Sequence, residues 1–258
     1  MTKKIGILGC GWLGKALGSK LVNSGFSVKG TVRKKEDFAQ LEKLNIQPYQ
    51  VELTPDKING EIDGFLNGLN QLVFSLPPGT RKNPEYNFSG SINLLMDAIK
   101  PYGLNRILFV SSTSVFEGRE GNPKYDENSI PNCSSASAQQ LIQAENIIQK
   151  SGFQSIILRS GGQIGQDRHP VKYLAGRKGL SNPDAPVNLV SQDYLIELMT
   201  KLISAKNPPK IIHAISEPHE SRKDYYSRIA RERNLEIPEF DGSRGNAGKK
   251  IVSKYSNY

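Results

Sequence analysis

The chain has 258 residues, 37% of them hydrophobic and 23% charged. That balance supports a full hydrophobic core and excludes a disordered chain. The formal net charge of +9 favours anionic ligands, but charge alone does not make a nucleic-acid binder.

No apolar run reaches membrane-spanning length, and the opening MTKKIGILGCGWLG lacks the long apolar region of a signal peptide. Two isolated cysteines, Cys10 and Cys133, are no disulfide framework. A cytoplasmic protein without a membrane partner is expected.

The first expected strand, KIGILG (4–9), runs into Gly9, Gly11 and Gly14, spaced G-x-G-x-x-G, and then into a helix ending at Gly25. A strand, a glycine loop and a helix in that order suit a dinucleotide. Gly9 allows the tight turn, Gly11 lets the backbone approach a pyrophosphate, and Gly14 lets helix and strand pack closely. The helix N-terminus offers N–H groups and a positive dipole end. Trp12 and Leu13 pack at the edge of this loop and count with the cofactor set. Cys10 reads as a small buried thiol. The competing reading is a tight strand–helix turn with no ligand.

The second strand (26–32) leads into Arg33, Lys34 and Lys35. An NAD-preferring site places a carboxylate at this point to accept from the ribose hydroxyls. Here an arginine can pair with a 2′-phosphate instead, so NADP is expected ahead of NAD. The first fifty residues carry nine Lys and Arg against three acids, so the basic charge is concentrated near this site. The third strand (47–53) brings Glu52 and Leu53 to the adenine. The fourth (71–76) brings Ser75, Leu76 and Pro77 past the ribose and pyrophosphate. Further strands at 106–112, 154–160 and 210–216 alternate with helical patterns. Their nearly continuous apolar runs predict an α/β fold with a doubly wound parallel sheet of about seven strands. Segments 166–186 and 217–258 break the rhythm. They are expected to form a small substrate lobe, beside a core made of 1–165 and completed by 187–216.

Several stretches occur in a telling order: the glycine loop, GSINLLMDAIKPYGLNRILFVSSTSVFEG (90–118), YDEN (125–128), the 134–151 helix, LRSGGQIGQDR (158–168) and NLVSQDYL (188–195). In that order they resemble the extended short-chain dehydrogenase/reductases, the NAD(P)-dependent epimerase/dehydratase group, and most closely its atypical YeeZ-like branch. The resemblance implies a Rossmann fold with a C-terminal substrate lobe, a nicotinamide cofactor and no metal. It puts Ser112 at the family's catalytic hydroxyl, with Thr113 as its neighbour. It adds Ser111 and Gly162 to the cofactor set. Arg168, His169 and Asn188 fall on the substrate side, where an arginine suits an anionic group.

One departure matters. The family's helix carries Tyr-x-x-x-Lys as its acid/base pair, and counting back from Glu145 puts Ser137 and Leu141 in those places. Serine is a poor acid near neutral pH and leucine has no charge to tune it. Tyr125 is the nearest replacement in sequence. Two classes of function follow: an oxidoreductase or epimerase on a polar, nucleotide-linked or phosphorylated substrate, or a non-catalytic NADP(H) sensor. The resemblance also predicts a shortened substrate lobe, because relatives continue beyond the position of Tyr258.

Overall fold

The computed structural model describes residues 2–79, 83, 85–255 and 258. Its strands are β1 (Lys4–Leu8), β2 (Ser27–Val32), β3 (Gln47–Leu53), β4 (Ile58–Gly60), β5 (Gln71–Phe74), β6 (Arg106–Ser112), β7 (Lys124–Tyr125), β8 (Gln154–Ser160), β9 (Gly162–Ile164), β10 (Leu189–Ser191), β11 (Ile211–Ala214) and β12 (Lys250–Ile251). The helices are α1 (Trp12–Asn23), α2 (Phe38–Glu42), α3 (Ile62–Leu66), α4 (Phe88–Ile99), α5 (Ala136–Lys150), α6 (Val171–Leu174), α7 (Gln192–Ser204) and α8 (Arg222–Glu232).

Eight strands form the main sheet in the order β11-β8-β6-β5-β1-β2-β3-β4. β1 runs parallel to both β2 and β5, β2 to β3, and β5 to β6. Ile157 and Gly161 N–H donate to the Lys210 and Ala214 carbonyls, an even step that makes β8 and β11 parallel too. The chain therefore winds outward from β1 in both directions, the doubly wound arrangement expected from the sequence. The seven expected strands are all present.

The eighth strand, β4, was not foreseen. It lies antiparallel on the edge of β3. It is three residues long and only partly buried, so it has neither the apolar run nor the alternation that announces a strand. The strand closes on a glycine. Gly60 has φ +98, and a Cβ there would stand 2.1 Å from the Gln50 carbonyl.

Both faces of the sheet are covered. All four residues of β5 are buried, as a strand between two helical layers requires. α4 buries Ile92, Leu95, Met96 and Ile99, the spacing of one helical face. Asn87 caps it by accepting from Gly90 N–H at 2.9 Å, and Phe88 stacks on Phe109 with ring centroids 6.3 Å apart.

The chain divides into two compact units. The first comprises 1–111, 135–158 and 196–211, and the second 112–134, 159–195 and 212–258. Segments 166–186 and 217–258 fall in the second unit together with 112–134. Its core gathers Val171, Val187, Leu189, Tyr226 and Ala230. Two short parallel pairs, β9 with β10 and β7 with β12, tie its distant segments together.

Candidate functional site

In the first unit the chain leaves β1 through Gly9, at φ +99. A Cβ there would meet Leu76 Cδ2 at 2.7 Å and the Ser75 carbonyl at 2.9 Å. Gly9 N–H donates to Thr31 Oγ1 at 2.9 Å, and Cys10 N–H to the Thr31 carbonyl at 2.8 Å. The loop is thus fixed to the end of β2. A Cβ on Gly14 would stand 2.3 Å from the Gly9 carbonyl, so α1 packs on the turn as closely as backbone allows. Gly11 differs from both. A Cβ there would meet nothing within 4 Å.

The protein's own packing therefore requires Gly9 and Gly14 but leaves open space in front of Gly11. Gly11 is also the N-cap of α1, which has no side-chain cap and no acidic residue in its first turn. An unfilled space at an uncapped helix N-terminus fits a pyrophosphate. Cys10 is 5% exposed, and burial pushes its thiol up to about 12. A Cβ on Gly30 would strike its sulfur at 2.5 Å, so Cys10 fills space. Leu13 is buried and packs inward, while Trp12 is half-buried at the loop's edge.

Arg33 and Lys34 are exposed at the end of β2, and Gln50 Nε2 donates to the Arg33 carbonyl at 3.1 Å. Neither side chain has an ion pair among the described residues. Lys15, on the first turn of α1, reaches Gln40 Oε1 at 2.8 Å. Glu52 is exposed and Leu53 half-buried. The Leu53 carbonyl accepts from Tyr86 Oη at 3.0 Å. Ser75 N–H continues the β1 pairing to Leu8 at 3.0 Å, Leu76 is half-buried and Pro77 is exposed.

Ser111 is buried, and its hydroxyl donates to Glu145 Oε1 at 2.5 Å. Its proton is spent on tying β6 to α5. Ser137, Leu141 and Glu145 share one face of α5, each one turn from the next. Leu141 is 4% exposed, so an apolar side chain is packed where the family's pattern has a charge.

In the second unit Ser112 has extended backbone, and its Oγ accepts from Ser114 N–H at 3.1 Å. That cap leaves the hydroxyl proton available to a ligand. Thr113 is buried. Lys249 Nζ donates to the Thr113 carbonyl at 2.9 Å and to that of Phe116. Burial lowers this amine below the usual lysine range. The rest of the tail is held as firmly. Buried Glu127 accepts from His213 N–H at 2.9 Å, Ser253 Oγ at 2.7 Å and Lys254 N–H at 2.9 Å.

Three expected site residues prove to have structural work instead. Tyr125 stacks on Phe116 with centroids 4.6 Å apart. Its hydroxyl donates to the Glu117 carbonyl at 3.0 Å and accepts from Asn132 Nδ2 at 3.1 Å. A buried phenol whose proton is already bonded is not poised as a general acid. His169 is 3% exposed, with Nδ1 accepting from Val171 N–H at 3.1 Å and Nε2 on Tyr225 Oη at 3.0 Å. Burial, with Arg233 and Lys172 adding to it, drives the imidazole down to about 4. It is a neutral core histidine, not a substrate ligand. Asn188 spends both amide hydrogens, on the Pro186 carbonyl at 3.1 Å and the Lys249 carbonyl at 2.8 Å, and its oxygen accepts from Ile251 N–H at 2.8 Å. It clamps the tail. Of the others, Arg168 is exposed, and Gly162 lies in β9 with its N–H on the Asn188 carbonyl at 2.9 Å.

Sequence reasoning missed Thr31 and Lys249. A hydroxyl two residues before Arg33 is a usable local signal for Thr31. Nothing local announces Lys249, whose partners lie 136 and 133 residues away. Among the described residues no group of three His, Cys, Asp or Glu side chains is placed to hold a metal, and no helix is long and apolar enough to cross a membrane.

A family model described as NAD(P)H-binding matches residues 9–199. Protein YeeZ of Escherichia coli is 28% identical over 255 residues, which cover 97% of this chain and 91% of that protein. UDP-N-acetylglucosamine 4-epimerase of Bacillus cereus has the same fold, with a TM-score of 0.78 at 14% identity over 99% of this chain and 89% of that one. UDP-glucuronic acid 4-epimerase of Bacillus cereus, in complex with NAD, gives 0.75 at 15% identity over 98% and 90%.

Proposed function

Since the chain belongs to the NAD(P)H-binding family and has an epimerase/dehydratase-like fold, we propose that it is an NADP-dependent oxidoreductase or epimerase-like enzyme acting on a polar, nucleotide-linked or phosphorylated substrate. The observation that carries the cofactor reading is the open space at Gly11 beside an uncapped helix N-terminus. The preference for NADP rests on exposed Arg33 and Lys34, which have no ion-pair partner among the described residues. Their charges suit a 2′-phosphate, the arginine through its planar fork.

The bound cofactor supplies hydride transfer. The chain's own residues do the rest. Gly11 and the first turn of α1 receive the pyrophosphate, and Thr31 holds the loop in shape. Ser112 offers its hydroxyl proton in a hydrogen bond to a substrate oxygen. Exposed Arg168 pairs with an anionic group of the substrate. Ser137 and Leu141 cannot tune a proton donor, and loss of a positioned acid/base costs ~10²–10⁴ in rate. Ordinary alcohols and sugars are therefore poor substrates under this reading.

The same packed Leu141 favours a second reading, a binding module that reports NADPH against NADP without turnover. Mass spectrometry of small molecules that co-purify with the protein, followed by stopped-flow absorbance of NADPH with the molecules found, separates the two. Turnover supports the enzyme; binding without turnover supports the sensor. Absence of saturable NADPH binding defeats both.

A further inference from the structure

A cavity lies wholly within the first unit, at the amino ends of the strands, whereas Gly9, Arg33 and Ser75 stand at carboxyl ends. It has a volume of about 320 Å³. Its walls come from the lead-ins or first residues of β1, β5, β6 and β8 and from the end of α7: Lys3, Asn70 with Gln71, Asn105 with Arg106, Gln154, and Ser204 to Lys206. No carboxylate is among them. Three are cationic and four are carboxamides.

The back wall is built rather than incidental. Arg106 and Gln71 are each 7% exposed. Arg106 Nη1 donates to the Leu202 carbonyl at 3.2 Å and to that of Ala205 at 2.8 Å, and Nη2 to that of Lys206 at 3.1 Å. Nε holds Gln154 Oε1 at 3.1 Å, and Gln71 Nε2 holds the Ile203 carbonyl at 3.1 Å. The negative end of α7 is thereby satisfied by the protein itself.

The front of the cavity still has donors to spare. Gln154 presents its oxygen to Arg106, and its NH₂ has no partner among the described residues. Asn70 uses its oxygen to accept from Lys4 N–H at 2.7 Å, which leaves its NH₂ as well. The side chains of Lys3, Lys206, Asn105 and Ser204 have no partner among the described residues. The helix end explains Arg106, and it favours a cation at Lys206. It also accounts for Gln71, but it explains neither Lys3 nor Asn105, nor the amide hydrogens of Asn70 and Gln154. Two ammonium groups and several N–H and O–H donors, with no competing carboxylate, are what a doubly charged oxyanion needs. The volume exceeds that of the anion alone and sits at the lower end for small-ligand sites.

We propose that this cavity binds the phosphate group of a small phosphorylated molecule, at a site separate from the glycine loop. The test uses the full chain saturated with NADPH, so that the cofactor's own phosphate positions are filled. Inorganic phosphate is titrated and followed by ¹⁵N amide shifts. The expected result is saturable shifts at Lys3, Asn70, Asn105 and Lys206, with affinity falling roughly tenfold for Lys3→Met and again for Lys206→Met. NADPH affinity stays unchanged in both variants. Either side chain is an exposed surface residue, so folding is not at risk; Asn105→Ala gives a third, uncharged check. The proposal is overturned if phosphate shifts no residue of the cavity, or if the double variant binds it as well as the wild type. Failure of NADPH to bind leaves the phosphate titration readable on its own and counts against the cofactor reading alone.

Discussion

Gly11 and Gly14 are three residues apart in one loop, and the structure gives them opposite reasons to be glycine. At Gly14→Ala the new methyl stands 2.3 Å from the Gly9 carbonyl and 3.2 Å from Ile7 Cγ2. The first contact is about 1 Å too short for carbon against oxygen, and its partner is backbone. α1 must lift off the turn. Overpacking of that kind costs about 1–3 kcal/mol, offset by less than about 1 kcal/mol from better helix propensity. In a chain of this size each kcal/mol moves the melting temperature by about 2–4 °C. At Gly11→Ala the methyl meets nothing. Stability should then stay within about 1 kcal/mol of wild type, since the weaker N-cap and the stiffer unfolded chain oppose each other. The methyl does occupy the space a pyrophosphate must enter. Losing one charge-assisted contact weakens NADPH binding by about 1.5–3 kcal/mol, or roughly 10- to 150-fold. Thermal melts and NADPH fluorescence titrations on the two variants read both quantities. Wild-type affinity in Gly11→Ala would falsify the cofactor assignment, and wild-type stability in Gly14→Ala would show that the packing account is wrong.

Arg33→Ala with Lys34→Ala should weaken NADP by about 1.5–3 kcal/mol and leave NAD nearly unchanged; calorimetry showing equal losses for the two refutes the 2′-phosphate role. Tyr125→Phe should leave turnover intact and cost about 1–2 kcal/mol of stability, because the Glu117 carbonyl and Asn132 amide lose a buried partner; loss of turnover in a stable variant would restore the phenol as an acid. His169 gives a pH dependence. Its folded value, about 4, lies below the ordinary 6.5, so the native state binds fewer protons than the unfolded chain. Its contribution is present above pH 6.5 and is lost as pH falls toward 4, by about 3 kcal/mol. His213, also lowered by burial, adds to the same acid limb. Urea melts of His169→Phe between pH 7 and 4 should show a shallower loss than wild type, and an unchanged slope rules His169 out as its source.

Local pattern carried the reading of the sheet well. β1, β5 and β6 are short apolar runs with both faces covered, and a buried strand cannot avoid that signature. The glycine loop was equally legible, because a φ of +99 and a 2.3 Å approach leave no other residue type. The same window did not distinguish which glycine serves packing and which leaves room. The second unit was far less legible. Asn188, Tyr125 and His169 are polar residues in glycine- and proline-rich sequence, where function is a fair expectation. His169 and Asn188 are consumed in part by bonds to segments that no local window contains, and Tyr125 by partners seven and eight residues away that no periodicity announces. Glu127 meets Ser253 across 126 residues and Asn188 meets Ile251 across 63. A two-residue pair such as β7 with β12 has no periodicity to detect.

The Lys249 clamp also sets an order of events during synthesis. Thr113 is translated 136 residues before the ammonium that will hold its carbonyl. At ribosomal speeds of about 5–20 residues per second, that interval is roughly 7–27 seconds. Throughout it the turn has its own cap and the Asn132 and Cys133 N–H groups on the Val115 carbonyl, but not the ammonium on the Thr113 carbonyl. Every element of the first unit has been translated by residue 211, so the pieces of the nucleotide fold exist before the serine turn can be completed. A chain cut just after Gly248 keeps the glycine loop with its contacts to Thr31, Ser75 and Leu76, and loses the cation that holds the turn.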